Sequence, residues 1–321
     1  MNPKDARLLF EIDKNYRQPY SKIGKKIGMS QQLINYKVKS LASDGVVIGN
    51  YPLIDYSRLG YLSFRVYFKI NYLNWESFEK MINSLKNHPN ITSIMECDSG
   101  YDLMILFSTR NPSAFNKALR EVISEYPKQL KNCMILTTVV EHLFSKNYLT
   151  GSNSSSDTVV GGDRNFTDTD PVDKKILKAL TRGKKTVVEM STEAGITSKT
   201  AMNRLKIMEN KEIIKGYRLV IDTRKIKLST NKILIKFHSV SIDKEKEIMK
   251  FCLGHPGITE VAKTFGEWDL ELTVIAKTRE EFRNICILIR QKFEDIIADF
   301  DNFRIFKIHK KQLLPDEFFA G

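Results

Sequence analysis

The chain has 321 residues, 42% of them hydrophobic and 28% charged, with a formal charge of +13. That is ordinary globular composition, too long for one core, and no run approaches the ~18 apolar residues of a membrane helix. The opening MNPKDARLLFEIDK puts charges where a secretory leader has its apolar stretch, which predicts a cytoplasmic protein, and the four scattered cysteines (Cys97, Cys133, Cys252, Cys286) form no CxxC pair and supply no zinc or redox motif.

The charge is localised. Residues 1–60 carry a net +5 and residues 171–228 a net +9, whereas 61–150 carry +2, 151–170 carry −3 and 229–321 are neutral. A basic excess confined to two short modules suits a polyanion partner.

In chain order, PKDARLLFEIDKN places Leu8, Leu9 and Ile12 on one helical face. YSKIGKKIG places Ile23 and Ile27 four apart. GMSQQLINYKVKSLASDG is a third helix with Leu33, Ile34, Val38 and Leu41 apolar, Ser30 as N-cap and Gly45 as its stop. The second and third segments meet the demands of a helix-turn-helix. Gly24 allows close helix approach, Gly28 tolerates the φ > 0 of a sharp turn, and Met29 anchors the turn. The polar face of the third helix offers Ser30, Gln31, Gln32, Asn35, Tyr36, Lys37 and Lys39 to a groove, where Gln, Asn and Lys read base edges and Ser and Lys hold phosphates. DGVVIGNY then reads as a short hairpin wing.

From there the pattern alternates strand and helix. LSFRVYFKINY is a strand, WESFEKMINSLKN a helix, ITSIMEC and DLMILFS strands flanking a turn, PSAFNKALREVISEY a helix and KNCMILTTVVEHL a long strand. This is a β-α-β-β-α-β order, an antiparallel four-stranded sheet with helices on one face. Its other face needs a cover. TGSNSSSDTVVGGDRNFTDTD follows, rich in Ser, Gly and Asp, and reads as a flexible linker.

The whole pattern then repeats. HPNITSIMECDSGYDL, from His88, returns as HPGITEVAKTFGEWDL, from His255, with six identical residues each 167 positions on. Gly28, Gly49, Asp55 and Phe115 match Gly195, Gly216, Asp222 and Phe282 at the same offset, and Asp5 matches Asp173 at 168. A register held over more than a hundred residues signals tandem duplication. In the second copy Ser191 and Gly195 take the small-residue and turn positions, and KEIIKGYR reads as the second wing. The reading face becomes Thr197, Ser198, Lys199, Thr200, Asn203, Arg204 and Lys206.

With those pieces in place, each copy resembles an Lrp/AsnC (feast/famine) transcriptional regulator. LASDGVVIGNYPLID and MENKEIIKGYRLVID resemble the family's segment between recognition helix and first sheet strand, and FGEWDLELTVIAKTREEF resembles its Gly-x-x-Asp turn. The resemblance implies an α+β fold with two winged helix-turn-helix domains and two ferredoxin-like βαββαβ domains in tandem. The expected boundaries are 1–57 and 58–149 for the first pair, 150–168 for the linker, 169–225 and 226–315 for the second pair, and 316–321 for a tail. It further implies double-stranded DNA as partner, intramolecular pairing of the two effector domains with further homo-oligomerisation, and an amino acid or similar effector near the turns. Gly266 and Asp269 keep the turn pattern, whereas the first copy has Ser99 at the aligned position and its glycine one later, at Gly100, before Asp102. No cofactor, metal or enzymatic activity is expected. Two other classes stand beside this reading: a tetrapyrrole enzyme resembling siroheme decarboxylase, and an effector sensor or assembly partner whose helix-turn-helix modules do not bind DNA.

Overall fold

The computed structural model describes residues 1–71, 74–152, 156–184 and 186–320. Tyr72, the last residue of LSFRVYFKINY, and residues 153–155 of the expected linker lie outside them. The first copy runs α1 (Pro3–Lys14), α2 (Tyr20–Ile27), α3 (Gln31–Ser43), β1 (Val47–Ile54), β2 (Leu62–Ile70), α4 (Trp75–Asn87), β3 (Ile91–Ser99), β4 (Tyr101–Thr109), α5 (Pro112–Glu125) and β5 (Leu130–Phe144). After β6 (Asp157–Gly161) the second runs α6 (Pro171–Thr181), α7 (Val187–Ala194), α8 (Ser198–Asn210), β7 (Ile214–Ile221), β8 (Ser229–Phe237), α9 (Ile242–Gly254), β9 (Ile258–Phe265), β10 (Leu270–Ala276), α10 (Arg279–Lys292) and β11 (Ile297–Lys311). No helix among the described residues is long and apolar enough to cross a membrane.

Local chemistry sets the helix ends. Ser30 and Thr197 cap α3 and α8 by accepting from the backbone N–H of Leu33 and Thr200. Gly28 and Gly195 end α2 and α7 in the left-handed region, at φ 69° and 67°. α6 and α7 each start with a reciprocal capping box, Asp170 with Asp173 and Thr186 with Glu189.

The two sheets do more than lie face to face. β5-β2-β4-β3 of the first copy and β11-β8-β10-β9 of the second join at both edges, by β3–β11 and β9–β5, into a closed ring of eight antiparallel strands. The two seams are equivalent: Cys97 pairs with Ile305 at one, and Thr264 with Thr138 at the other. Strands β2, β4, β8 and β10 therefore bury both faces along their middles. Phe64, Val66 and Phe68 of β2 face α4 and α5, where Phe64 stacks on Phe115 at 4.0 Å between ring centroids. Ile233, Ile235, Leu272 and Val274 do the same in the second copy. Between the sheets sit Tyr67, Met104, Leu136, Leu234, Trp268 and Phe303. Closure also removes the open sheet edges that invite aggregation.

The interior is also charged. Arg65 of β2 meets Glu271 of β10 at 2.8 Å and pairs with Glu141 of β5; Lys232 of β8 meets Glu271 at 2.5 Å, and Tyr67 donates to the same carboxylate. Lys311 holds Glu260 at 2.7 Å, and His309 lies 2.9 Å from Glu96 across a seam. Burial alone would raise the Glu271 pKa, but Arg65 and Lys232 outweigh it and hold the carboxyl below its usual 4.5. Glu260 is lowered against its own burial by Lys311 and Lys232. A carboxylate with a depressed folded pKa gives stability that is complete above its unfolded value and is lost as pH falls through the folded one. Urea midpoints should thus be flat from neutrality to about pH 5 and then fall, with a shallower fall in Glu260→Gln.

Two expectations need correction. The two wings are not hairpins: β1 and β7 pair with each other, antiparallel, with Tyr51 opposite Arg218. Those residues hold equivalent positions in the two copies, so the pseudo-twofold axis passes between them. The linker is not flexible throughout, because its one β-branched run, Thr158-Val159-Val160, forms β6 along the end of β5 with Val160 fully buried. Within the expected tail, Asp316–Phe319 form a turn of 3-10 helix with Phe318 buried.

Candidate nucleic-acid interface

The first demand of a helix-turn-helix is a tight elbow. A Cβ on Gly24 would lie 2.3 Å from the carbonyl oxygen of Met29, and the carbonyl of Gly24 itself accepts from the N–H groups of Gly28 and Met29 at 2.9 and 3.1 Å. Ser191 fills the same place in the second copy and uses its hydroxyl, donating to Val188 O at 2.9 Å and bonding Ser198 Oγ at 3.1 Å. Gly24→Ala must therefore open the first elbow, and it is expected to cost on the order of 1–3 kcal/mol. Circular-dichroism melting would read that loss, and Ser191→Ala should be milder.

The outer rows of the two recognition helices stand free. Ser30, Gln31, Gln32, Asn35, Tyr36 and Lys39 of the first module are exposed, as are Thr197, Ser198, Lys199, Thr200, Asn203 and Lys206 of the second. Lys37 and Arg204 depart from the expected row. Both are half-buried and ion-paired at equivalent places: Lys37 with Asp5 of α1 at 2.6 Å, Arg204 with Asp170 at 2.6 Å and Asp173 at 3.6 Å. They tie each recognition helix to the first helix of its own module. The outer rows instead include apolar residues that pattern-reading assigned to cores or passed over. Leu33 is 42% exposed and Met202 56%. Such side chains can contact thymine methyls. The signal for Leu33 was present: Ile34 and Leu41 already supply the buried stripe.

The modules are held to each other. Their cores merge through the β1–β7 ribbon into one cluster containing Leu8, Ile34, Tyr51, Leu177, Leu205 and Tyr217. Arg17 donates to the Tyr217 hydroxyl at 2.7 Å, Asp13 pairs with Arg218 at 3.0 Å, and Lys215 pairs with the buried Asp55 at 2.9 Å. Lys146 also reaches Asp13, and burial pushes its ammonium down to about 8 against the pull of that carboxylate. Each of the first three contacts crosses from one copy to the other, so the two recognition helices belong to one rigid unit.

At the effector turns, both aspartates serve the backbone. Asp102 accepts from Ile70 N–H at 2.8 Å, and Asp269 from Phe237 N–H at 2.8 Å, the same contact 167 residues on. Asp269 also takes Lys236 at 2.9 Å. The displaced glycine has a geometric reason. Gly100 sits at φ +70° as the single residue turning β3 into β4. Gly266 has φ +142° and lies against β5 of the other copy, where a Cβ would come within 3.0 Å of Ile135 O. Ser99, free of that crowding, accepts from Arg304 N–H at 3.3 Å instead. The two His-Pro turns are structural: His88 and His255 accept through Nδ1 from Asn90 and Gly257 N–H at 3.2 and 3.1 Å. No group of three or more His, Cys, Asp or Glu that could hold a metal occurs among the described residues.

Two exposed recognition helices, each on a trihelical module and joined by a ribbon, define a winged helix-turn-helix protein, and a winged helix-turn-helix DNA-binding model matches residues 1–48 and 169–215. The HTH-type transcriptional regulator FL11 of Pyrococcus horikoshii is 31% identical over 122 residues, taking in 37% of this chain and 79% of the relative. The HTH-type transcriptional regulator Ptr1 of Methanocaldococcus jannaschii is 26% identical over 124 residues, 38% of this chain and 80% of that protein. The chain belongs to the Lrp/AsnC family of HTH-type regulators, in tandemly duplicated form. Among solved structures, siroheme decarboxylase NirDL aligns over 99% of this chain and 96% of its own, with a TM-score of 0.62 and 16% identity. At that identity the likeness establishes a common tandem fold.

Proposed function

We propose that the chain is a sequence-specific DNA-binding transcriptional regulator that works as a covalent pseudo-dimer, laying α3 and α8 into successive major-groove faces. The observation that carries this reading is the pair of exposed recognition helices on one ribbon-linked unit, with the chain's basic excess concentrated in their modules. The reading residues are those of the two outer rows; Lys37 and Arg204 position the helices. The effector domains take an amino acid or similar small molecule beside the turns at Ser99–Asp102 and Gly266–Asp269, where the aspartates shape the turn rather than reach out. The test is binding to random duplex at two salt concentrations, followed by selection of bound genomic fragments. Steep loss of binding with salt supports phosphate contact. Absence of binding at low salt overturns the proposal.

The full-length fold match makes tetrapyrrole chemistry the second reading. Incubation with an iron tetrapyrrole and inspection of its absorbance bands separates the two: an unchanged spectrum removes the enzyme.

A further inference from the structure

Duplication gives this protein two equivalent clefts, each between the first helix of one copy and the effector domain of the other. The chain fills one of them with its own end. In that cleft Glu317 N–H donates to Pro89 O at 3.0 Å, and Asn90 donates to the Glu317 carboxylate at 2.6 Å. The Phe318 ring stands edge-on to Tyr61 at 6.1 Å, lies 5.5 Å from the Lys174 ammonium, and packs against Phe319 at 5.2 Å. Arg110 covers Tyr61 at 4.9 Å. The occupant is an acid held by the Asn90 amide beside two aromatic rings, one of them facing the Lys174 ammonium.

The second cleft is built from the equivalent segments with different side chains, and no tail among the described residues fills it. At an offset of 167, Gly151 and Ser152 stand where the first cleft has Phe318 and Phe319, Leu228 replaces Tyr61, and Lys277 replaces Arg110. What remains is a cleft of about 1290 Å³ between α1 and the second effector domain. Its lining includes Phe10, Ile226, Leu228, Ile285 and Leu288 together with the carboxylates of Glu11, Glu280 and Glu281, the last accepting from Lys277 N–H at 2.6 Å, and Leu288 is 43% exposed where the first copy has Glu121. Lys227 and Lys277 stand on the rim, exposed, and neither side chain has a hydrogen-bond or ion-pair partner among the described residues. Basic Arg224, Arg279 and Arg304 line the adjoining groove against the single carboxylate of Asp98.

We infer that this open cleft is a binding site for a small aromatic carboxylate, its ring taking the place that Phe318 takes in the filled cleft and its acid meeting Lys227 and Lys277. Ring burial against the apolar floor supplies the affinity, and the unpaired ammonium groups supply the preference for an anion. The cleft itself touches neither effector turn, its adjoining groove reaches Ser99, and the site does not rest on the regulator reading.

The test titrates the full chain, without DNA, by calorimetry with 3-phenylpropionate, and with hexanoate as an equally charged probe lacking a ring. One site per chain is expected, with hexanoate weaker by about tenfold or more. Ser152→Phe, which restores the aromatic side chain of the filled cleft, should weaken phenylpropionate by about tenfold while leaving DNA binding unchanged. Phe318→Ala should open the first cleft and raise the stoichiometry from one to two. Absence of saturable binding, equal binding of hexanoate, or unchanged affinity in Ser152→Phe overturns the inference, and that last variant decides it even if Phe318→Ala does not fold. If a peptide of sequence PDEFFAG binds and phenylpropionate does not, the site is a peptide dock and the inference fails.

Discussion

Arg65→Ala is expected to destabilise the protein by about 3–5 kcal/mol. Arg65 is 3% exposed and serves Glu271 at 2.8 Å, Glu141, and the Thr138 hydroxyl at 3.1 Å. Truncation leaves two carboxylates facing each other out of water, with Lys232 and Tyr67 the remaining partners of Glu271. The cost is that of an uncompensated buried charge, so it should not appear when the whole network is removed. Replacing Arg65, Glu141, Lys232 and Glu271 together by apolar residues of similar volume should return stability to within about 1–2 kcal/mol of the parent, or above it. The equivalents in the opposite copy support those choices, since Glu271 corresponds to Met104 and Glu141 to Ile308. Urea denaturation with unchanged slopes would measure both variants.

That network also says what the charges do. Arg65 and Lys232 are equivalent positions, yet Glu271 has no acidic counterpart in the first copy. The Arg65–Glu271 pair therefore exists only when a first-copy domain faces a second-copy domain. Two first-copy domains would set Arg65 opposite Met104. The same holds for Asp13–Arg218, whose equivalents across the axis are Thr181 and Tyr51, and for Glu96–His309. The ions add little to net stability but specify which surfaces meet, as buried polar groups do in coiled coils.

Local and periodic features of this architecture were legible in the sequence. The caps at Ser30 and Thr197, the turn glycines Gly28 and Gly195, and the βαββαβ order all follow from near neighbours. The repeat announced the second copy. What stayed hidden depends on partners far along the chain. Arg65 and Glu271 sit at alternate polar positions of amphipathic strands, which read as a wet face; only the second sheet turns that face inward. β1 and β7 each look like half a hairpin because their true partner lies 167 residues away. Lys37 and Arg204 share the polar side of a helix with the outer row, and nothing local reveals that Asp5 and Asp173 wait beneath them. The SGYD turn differs from GEWD because one glycine serves a left-handed turn and the other makes room for Ile135, a reason that exists only once the copies are docked.

The second large effect concerns the DNA-reading rows, and it separates two kinds of residue. Lys199→Ala with Lys206→Ala should weaken binding to every duplex alike and reduce the salt slope by about 2, because each removes one phosphate contact. Asn203→Ala, or Gln32→Ala in the other module, should cost about 1–3 kcal/mol on the selected operator and little on random duplex, with the slope unchanged. Arg204→Ala should act differently from both: its partners are Asp170 and Asp173, so it should lower the melting temperature and affect operator and random duplex equally. The same rows decide the symmetry of the target. At equivalent positions the modules present Gln32 and Lys199, Asn35 and Met202, Tyr36 and Asn203, whereas Lys39 and Lys206, and the caps Ser30 and Thr197, agree in type. Two unlike readers fixed on one rigid unit favour two unlike half-sites in fixed order. A palindrome built from either half-site should therefore bind more weakly than the natural composite by about 1–3 kcal/mol per mismatched pair. Gel-shift titration of the composite against both palindromes would measure this, and equal affinity for all three would mean that only one module reads sequence.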